Sequence, residues 1–335
     1  MAFNEITKFN GVTSVARDSM TNNLLLGVQD FLSWGFLQAG GFQNITISPA
    51  VSGSFDRTKR SRLRASDDPS YEIGQVWEGF RNDWVWESGF KHSEIKPIQV
   101  SGVWIDSNFY EPSGNAYSHF VDYPNGRIVF DSTVPTTKTV EANFSHRTIG
   151  VALSSEKFVQ EVMFDSYDME DIDTYLMSSS GVRNQLGERR LQLPFVAVEL
   201  AGGGKTEPYQ LGGGKIAYND VLMHVFADDE FEKNNIRDIL LNQSEKVIIL
   251  PDRALIKQDK KYPLQIDRNG SPVKNAKNYR DFCYASGEGG YAWRTARIEQ
   301  MRCSDMEPVN NWLHRTTIRA TFSVIVNAST NVGNI

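Results

Sequence analysis

A segment in the middle of the chain, residues 191–250, constrains the fold most strongly, because its pattern sets the order of several elements. The run from Leu191 to Leu200 is almost entirely apolar, which is typical of a buried strand. After a glycine-rich stretch, residues 221–226 are apolar at every position except His224, so we predict a second strand that is covered on both faces. The segment therefore begins with two strands joined by a glycine-rich loop from Gly202 to Gly214.

A helix and a third strand complete this segment. Asp228 or Asp229 can serve as the N-cap of a helix that runs through Leu241, because a carboxylate accepts hydrogen bonds from the free amides of the first turn. Residues 246–250 then predict a strand. The order strand, loop, strand, helix, strand is that of a compact α+β unit.

Two further elements come from segments near the two ends of the chain. Apolar residues recur with helical spacing between Val15 and Leu32, which predicts a helix that stops at Gly40-Gly41. From Thr316 to Val326 apolar and polar residues alternate, which predicts a long amphipathic strand. The helix is so apolar that we expect it to pack on a sheet or on a neighbouring subunit.

Short strands dominate between Pro97 and Phe144. Residues 120–130, FVDYPNGRIVF, place Pro-Asn-Gly between two short runs, a pattern typical of a β-hairpin. We therefore predict three parts: residues 1–95 as an N-terminal helix and basic arm packed on the core, 96–150 as an inserted antiparallel β-unit, and 151–335 as an α+β core with a long C-terminal strand. The predicted fold class is α+β, with a mixed or antiparallel sheet and flanking helices in the core.

Charge and cysteine content exclude several classes of protein. The formal net charge of −6 argues against a dedicated nucleic-acid-binding protein, which needs a basic surface. Cys283 and Cys303 are too few for a disulfide framework and lack the spacing of a zinc site, so we expect a reducing compartment. The most apolar early run, Leu24 to Leu37, is interrupted by polar residues and glycines, so we predict no membrane span and no membrane partner.

A polar stretch from Ser52 to Asp68 carries five basic residues. One interpretation is a loop that faces phosphate or DNA. The other is a mobile arm whose charges are solvated or paired with an acidic neighbour. We favour the arm, because no aromatic residues separate the charges as they do in proteins that bind single strands. The candidate contact residues of this arm are Arg57, Lys59, Arg60, Arg62 and Arg64.

The glycine-rich stretch begins with Gly-Gly-Gly-Lys-Thr at 202–206, directly after a predicted strand, where a phosphate-binding loop would lie. Such a loop needs glycine where Glu199 stands, and a helix should follow, but Pro208 and more glycines come instead. We therefore predict a flexible hairpin connection, without a nucleotide cofactor, that contacts neighbouring subunits. Its candidate contact residues are Gly203, Lys205, Gly213 and Lys215.

No pattern in the sequence predicts a metal site, a cofactor or a set of catalytic residues. The acidic residues between Asp165 and Asp173 lack the alternating spacing and the central glycine of a calcium loop. The five histidines show no zinc-ligand spacing, and His224 is predicted to be a packed, hydrogen-bonded residue. No Gly-x-Ser-x-Gly elbow occurs, so we predict that the chain is not an enzyme, although a pair of carboxylates suited to sugar hydrolysis stays open.

The central segment resembles the core of tail-terminator or tail-completion proteins, virion structural proteins in the neck region of contractile-tailed phages. Residues 193–199, the glycine-rich stretch, residues 220–227 and the predicted helix 228–241 carry this resemblance through the order of their elements. The β-unit, around Val103-Trp104-Ile105 and residues 123–131, is similar to uncharacterised virion proteins of contractile-tailed marine phages.

The resemblance implies a homo-oligomeric ring, commonly a hexamer, that ends growth of the tail tube and joins the tail to the neck. It implies neighbouring neck, tail-tube or sheath proteins as partners, incidental contact with packaged DNA, and a location in the virion after synthesis in the host cytoplasm. The length of the chain, its β-unit and its basic arm depart from small terminators. These departures leave the station open among terminator, neck ring and baseplate adaptor.

The main alternative is a baseplate or tail-tip protein that recognises a host surface glycan. Aromatic residues such as Trp77, Trp84, Trp86 and Trp104 would suit stacking against sugars. The same residues are equally suited to a hydrophobic core, which is the interpretation that we favour.

Overall fold

The computed structural model describes residues 20–47, 60–87, 92–156, 159, 192–209, 214–251, 279, 292–305 and 313–326. Within these residues two helices and fifteen strands form two packed units. One unit is built on a six-stranded sheet, and the other, which we call the β-unit, combines smaller antiparallel sheets. The predicted α+β class is confirmed, with strands in the majority.

The bounds of the elements are as follows. The helices are α1 (Met20–Gln38) and α2 (Glu230–Leu241). The strands are β1 (Phe42–Ile45), β2 (Arg64–Ala65), β3 (Val76–Glu78), β4 (Val103–Ile105), β5 (Asn108–Tyr110), β6 (His119–Asp122), β7 (Arg127–Phe130), β8 (Val140–Ala142), β9 (Phe144–Arg147), β10 (Gly150–Leu153), β11 (Phe195–Pro208), β12 (Lys215–Ala227), β13 (Val247–Pro251), β14 (Ala292–Asp305) and β15 (His314–Val326).

The six-stranded sheet has the order β10-β11-β12-β15-β14-β13. β10 and β11 pair in parallel, and every other neighbouring pair is antiparallel. β12 and β15 pair over their full length, from Lys215 opposite Val326 to Ala227 opposite His314. The short strands β10 and β13 lie at the two outer edges, and the sheet curls into half of a barrel.

Both helices pack against the same face of this sheet. Leu24, Val28 and Leu32 recur every four residues along α1 and share one core with the sheet, and each buried side chain stabilises the fold by about 1.5–3 kcal/mol. On α2, Ile236 and Leu240 enter the same core. The strands supply alternate residues to this face, so the other residues of each strand point to the opposite face.

Helix α1 also contacts the β-unit, through Trp34 and Leu37, which are buried with Val85. The helix ends as predicted. Gly40 adopts a φ of +90° and its amide donates to the carbonyl of Leu37 at 3.1 Å, while the amide of Gly41 donates to the carbonyl of Phe36 at 2.7 Å. A side chain at position 40 would be strained in this conformation, so glycine is the natural stop signal.

The predicted hairpin in the β-unit is confirmed as β6 and β7, which pair from His119 opposite Phe130 to Asp122 opposite Arg127. Gly126 holds the turn with a φ of +62°. Inside the unit the rings of Trp84 and Phe144 stack with their centroids 4.2 Å apart. This core, together with that beneath α1 and α2, gives each unit its own hydrophobic centre.

The β-unit begins earlier in the chain than residue 96. Its core includes Ile45, Leu63 and Trp77, whereas β10, which begins at Gly150, pairs with β11 of the six-stranded sheet. The two parts therefore meet between β9 and β10. β2 and β3 contain two and three residues, too few for an alternating pattern to be visible in the sequence.

Hydrogen bonds join the two units beside this boundary. Arg81 donates from Nη1 to the carbonyl of Leu193 at 3.0 Å, and the amide of Asn82 donates to Oε1 of Gln192 at 2.9 Å. These contacts place the β-unit next to the start of β11.

Candidate functional site

The basic stretch predicted as an arm is divided by the structure. Arg57 and Lys59 lie outside the described residues. The segment from residue 60 onward lies against the β-unit, since the amide of Leu63 donates to the carbonyl of Val140 at 2.9 Å. For this part, the interpretation as a mobile arm is wrong, because Leu63 is buried in the core of the β-unit and holds its neighbours in place. The basic residues held in this way are Arg60, Arg62 and Arg64.

Side-chain contacts of Arg60 and backbone pairing of Arg62 and Arg64 hold this segment on the β-unit. Arg60 donates to Oε1 of Gln43 at 3.3 Å, and its guanidinium lies 5.5 Å from the centroid of the Phe80 ring. Arg62 forms a β-bridge with Glu141, and Arg64 pairs with Glu78 in the ladder between β2 and β3. The three arginines therefore do not form a separate basic projection.

The glycine-rich stretch predicted as a flexible loop is largely strand. β11 continues to Pro208, and its pairing with β12 shifts between Leu200 and Gly204, which marks a β-bulge around Gly203. Glycine often marks a β-bulge within a strand. The glycines here therefore lie in an irregular part of β11, after which pairing with β12 resumes at Gly204. Gly213 lies outside the described residues, and the prediction of a loop over the whole stretch is wrong.

The lysines of this stretch lie on the extended hairpin of β11 and β12. The Nζ of Lys205 donates to Oε1 of Glu207 at 2.8 Å and lies 4.9 Å from the ring centroid of Tyr218. Lys215 is exposed at the start of β12. A strand rather than a helix follows the Gly-Gly-Gly-Lys pattern, so the arrangement lacks the helix amides that hold a phosphate.

The face of the six-stranded sheet that does not contact the helices is mostly polar, and we call it the polar face. One cross-strand row on it consists of Glu199, Leu222, Arg319 and Arg302. The next row along the strands, at the end of the sheet where β10 pairs with β11, consists of Ala197, His224, Thr317 and Ser304. At the β10 end, Phe195 and Phe226 pack with Val159, so that end is covered.

Three arginines on the polar face form a cluster, which we call the arginine patch: Arg297, Arg302 and Arg319. Arg319 lies directly opposite Arg302 on adjacent antiparallel strands. The side chains of Arg297 and Arg319 are 52% and 59% exposed, and Arg302 is also exposed. Like charges that lie directly opposite each other destabilise a sheet, so this pair carries an unfavourable energy in the isolated chain.

Carboxylates offset part of the positive charge. Arg319 donates from Nε to Oδ2 of Asp220 at 3.0 Å, and the hydroxyl of Thr321 donates to Oδ1 of the same residue at 2.6 Å. Burial raises the pKa of Asp220, but the hydrogen bonds from Thr321 and Arg319 outweigh it and hold the pKa below its usual value. Asp220 therefore stays ionised. Among the described residues, Arg302 has no carboxylate partner.

A hydrogen-bonded group of Glu199, His224 and Thr317 lies beside the patch. The ring nitrogens of His224 lie 3.0 Å from Oε2 of Glu199 and 2.9 Å from Oγ1 of Thr317. Arg315, which can only donate, lies 3.3 Å from Nδ1, so Nδ1 accepts and Nε2 donates to Glu199. The prediction that His224 is a packed, hydrogen-bonded residue is confirmed.

The same geometry shows what this group can do chemically. A hydroxyl, an imidazole and a carboxylate in this order are the parts of a nucleophilic triad. Burial lowers the pKa of His224, and the positive charge of Arg315 lowers it further against the opposing effect of Glu199. The imidazole is therefore a weak base that stays neutral, which suits a structural hydrogen-bond bridge between β11, β12 and β15.

On the opposite side of the sheet, the start of α2 forms an acidic projection, which we call the acidic knob: Asp228, Asp229, Glu230, Phe231 and Glu232. All five are exposed, and the Phe231 side chain is 82% exposed. Asp229 is the N-cap, as predicted, and accepts from the amide of Glu232 at 3.2 Å. Burial and the nearby Asp228 carboxyl raise the pKa of Glu232.

The tryptophans considered for glycan stacking are mostly buried. Trp77, Trp84 and Trp86 belong to the core of the β-unit. Trp104 is partly exposed, and its ring centroid lies 4.6 Å from that of the exposed Phe109. The preferred interpretation as core residues is confirmed for the first three.

The described residues contain neither a candidate metal site nor a candidate membrane-spanning helix. They hold no group of three or more His, Cys, Asp or Glu residues placed to bind a metal ion. The acidic segment from Asp165 to Asp173 lies outside the described residues. None of the described helices is both long enough and apolar enough to cross a membrane.

Comparisons with known proteins assign no family to the chain. The sequence matches no protein-family model, and a search of curated proteins finds no match.

Proposed function

We propose that this chain is a non-enzymatic structural subunit of a tailed-phage virion. Copies of it form a ring at the head–tail junction, with six subunits as the expected number. The ring ends the tail tube and joins the tail to the neck. Its neighbours are then further copies of the chain and neck, tail-tube or sheath proteins.

One observation carries the part of this proposal that concerns assembly: Arg302 lies opposite Arg319 on an exposed sheet face, and no described carboxylate neutralises Arg302. Such a pair costs stability in an isolated subunit, and the cost is offset when an acidic partner covers it. In an enzyme or a binding protein that works as a monomer this cost would stay uncompensated. In a subunit that an acidic partner covers, the contact offsets it.

The station at the head–tail junction rests on the resemblance of the central segment. Its elements follow each other in the expected order, as β11, β12, α2 and β13. The long hairpin of β11 and β12 and the added β-unit distinguish the chain from a small terminator. Both provide additional surface for a neighbouring protein of the neck or the tail tube.

The non-enzymatic part of the proposal is supported by the state of His224. It is buried, and a fixed guanidinium beside Nδ1 opposes protonation of the imidazole. A general base must accept a proton during the reaction, so this position disfavours catalysis. The substitution Thr317→Val is a direct check. If Thr317 were a nucleophile, the natural chain would show activity in a hydrolase panel and the variant would lose all of it. If Thr317 belongs to a structural bridge, neither protein shows such activity.

Light scattering on the purified chain, followed by negative-stain imaging with and without tail tubes, tests the proposal. We expect a ring, either alone or when tubes are added. A chain that stays monomeric with tubes and with neck proteins contradicts it. Protein standards from the size of lysozyme to that of the expected ring calibrate the measured mass. A dilution series distinguishes a ring that dissociates at low concentration from a monomer.

A further inference from the structure

We infer that neighbouring copies of the chain contact each other through the acidic knob of one copy and the arginine patch of the next. This inference rests on the proposed function, since it assumes that copies assemble. It adds the identity of the two surfaces and the polarity of the contact. Both surfaces consist of described residues, and neither contributes to the two hydrophobic cores.

The two surfaces lie on opposite sides of one sheet. α2 packs against the core face through Ile236 and Leu240. On β15, Ile318 and Ala320 point to that same core, so Arg319 between them points to the other side. Because the sheet separates them, the knob and the patch of a single copy cannot neutralise each other. Each is available to another copy.

The surfaces are complementary in charge and in chemical type. The knob offers four exposed carboxyl groups around the ring of Phe231. The patch offers three exposed guanidinium groups, which bind carboxylates with two parallel hydrogen bonds and also stack on aromatic rings. A phenyl ring inserted between arginine side chains would lose its contact with water and would separate the like charges of Arg302 and Arg319.

The polar face fits an acidic protein surface better than a nucleic acid. Glu199 and Asp220 lie in or next to the row that contains Arg319, and their carboxylates would repel a phosphate backbone. The formal net charge of −6 also opposes approach to DNA. A carboxylate ligand with a limited number of charges can pair with Arg302 and leave the Asp220–Arg319 pair intact.

A contact between two different surfaces repeats from copy to copy in one direction. Such a heterologous contact gives a closed ring when the rotation between copies closes, and a filament otherwise. A two-fold dimer would instead bury the same surface twice and bring two arginine patches together. The opposite charges on the two sides of the sheet therefore favour a ring over a two-fold dimer.

The test uses two full-length variants, each blocked at one surface. Arg302→Glu reverses a charge in the patch, and Glu230→Lys reverses a charge in the knob. Both positions are exposed, so we expect folding to be retained, which thermal unfolding and circular dichroism check. Each variant alone should require about tenfold or more chain concentration to assemble than the natural chain does. Lys96→Glu, at an exposed position of the β-unit, is the matched control and should assemble normally.

Mixing gives the decisive result. An equimolar mixture of the two variants should form particles larger than either variant alone, because the reversed charges, Glu at 302 and Lys at 230, are complementary when they meet. The double variant Arg302→Glu/Glu230→Lys should regain ring formation. The inference is overturned if both single variants assemble like the natural chain, or if neither the mixture nor the double variant recovers.

The outcomes separate the inference from the function on which it rests. If the natural chain forms rings and the variants do so equally well, the surfaces are wrong but the assembly proposal stands. If the natural chain stays monomeric with tubes and neck proteins, the function itself fails. If Arg302→Glu abolishes binding to duplex DNA at low salt while ring formation is unchanged, the patch serves nucleic acid and the inference is refuted.

Discussion

A buried cluster of charges between α1 and the β-unit allows a quantitative prediction about stability. Arg147 of β9 pairs with Oε1 of Glu87. Asp30 of α1 lies close enough to both for their charges to shift its pKa. All but a small part of each side chain is buried. Asp30 Oδ2, Glu87 Oε2 and Arg147 Nη1 have no hydrogen-bond partner among the described residues. Two carboxyl groups therefore share a single cation.

Protonation of Asp30 resolves this imbalance. Burial raises its pKa well above the usual value, the neighbouring Glu87 raises it further, and Arg147 opposes the shift. Between the pKa of the unfolded chain and the higher pKa of the folded chain, the folded state binds more protons. Stability therefore falls as the pH rises through this window, and above it the cost of burying the charged form, or of displacing it, is fully present.

The substitutions Asp30→Asn and Glu87→Gln should differ strongly in their effect on the free energy of unfolding. Asp30→Asn keeps the shape of the neutral carboxyl, so we expect a loss below about 1 kcal/mol or a gain at neutral pH. Glu87→Gln leaves the buried Arg147 without its ion partner and should cost about 3–5 kcal/mol. The gain of Asp30→Asn relative to the natural chain should grow as the pH rises above about 4.

Urea denaturation of the three proteins over a range of pH measures these differences. The reasoning is refuted if Asp30→Asn costs more than Glu87→Gln, because Arg147 would then depend on Asp30 as its main partner. It is also refuted if the difference between Asp30→Asn and the natural chain does not vary with pH. The denaturant dependence of each transition should be unchanged, since none of the substitutions alters the surface exposed on unfolding.

Three further predictions follow from local geometry. Asp229→Ala removes the N-cap of α2 and should cost about 0.5–2 kcal/mol in urea denaturation, whereas Asp229→Asn should cost only a few tenths. Gly126→Ala should cost clearly more than Gly114→Ala, for which we expect about 1–2 kcal/mol. Both glycines have positive φ, but a Cβ at 126 would collide with the carbonyl oxygen of Arg81 while that at 114 meets open space; equal losses would contradict this. Phe322→Ala should cost about 3–5 kcal/mol by opening a cavity in the core, measured against Ile73→Ala as an exposed control.

Elements with a long regular pattern could be predicted from the sequence. The alternation from residue 316 to 326 appears in the structure as β15, with Ile318, Ala320 and Phe322 in the core. The cap at Asp229 and the stop at Gly40 were visible because each places a specific residue type at a helix end. In these cases the local preference and the tertiary packing agree.

Elements that depend on distant partners could not be predicted in the same way. Glycine disfavours strands locally, but β12 supplies hydrogen bonds to residues 204–208, and a bulge absorbs the irregular part. Likewise, the pairing of β2 with β3 and the burial of Leu63 draw the segment around Arg62 into the β-unit. Local composition predicts a loop and an arm because it does not include the strands that pair with these segments, which lie elsewhere in the sequence.

The arginine patch illustrates the same limit at the candidate site itself. Arg297 and Arg302 are separated by an odd number of positions, so strict alternation would place them on opposite faces of β14. The pairing with β15 shifts between Ile298 and Gln300, where Glu299 is the extra residue, and this bulge brings both arginines to the polar face. Their partner residues on β15, 323 and 319, do alternate regularly. The bulge keeps Arg302 opposite Arg319, so a deletion of Glu299 should leave Arg302 on the polar face and only restore strict alternation along β14. Because strict alternation over the natural sequence would place Arg297 and Arg302 on opposite faces, no search for a basic motif along the chain could have found the patch.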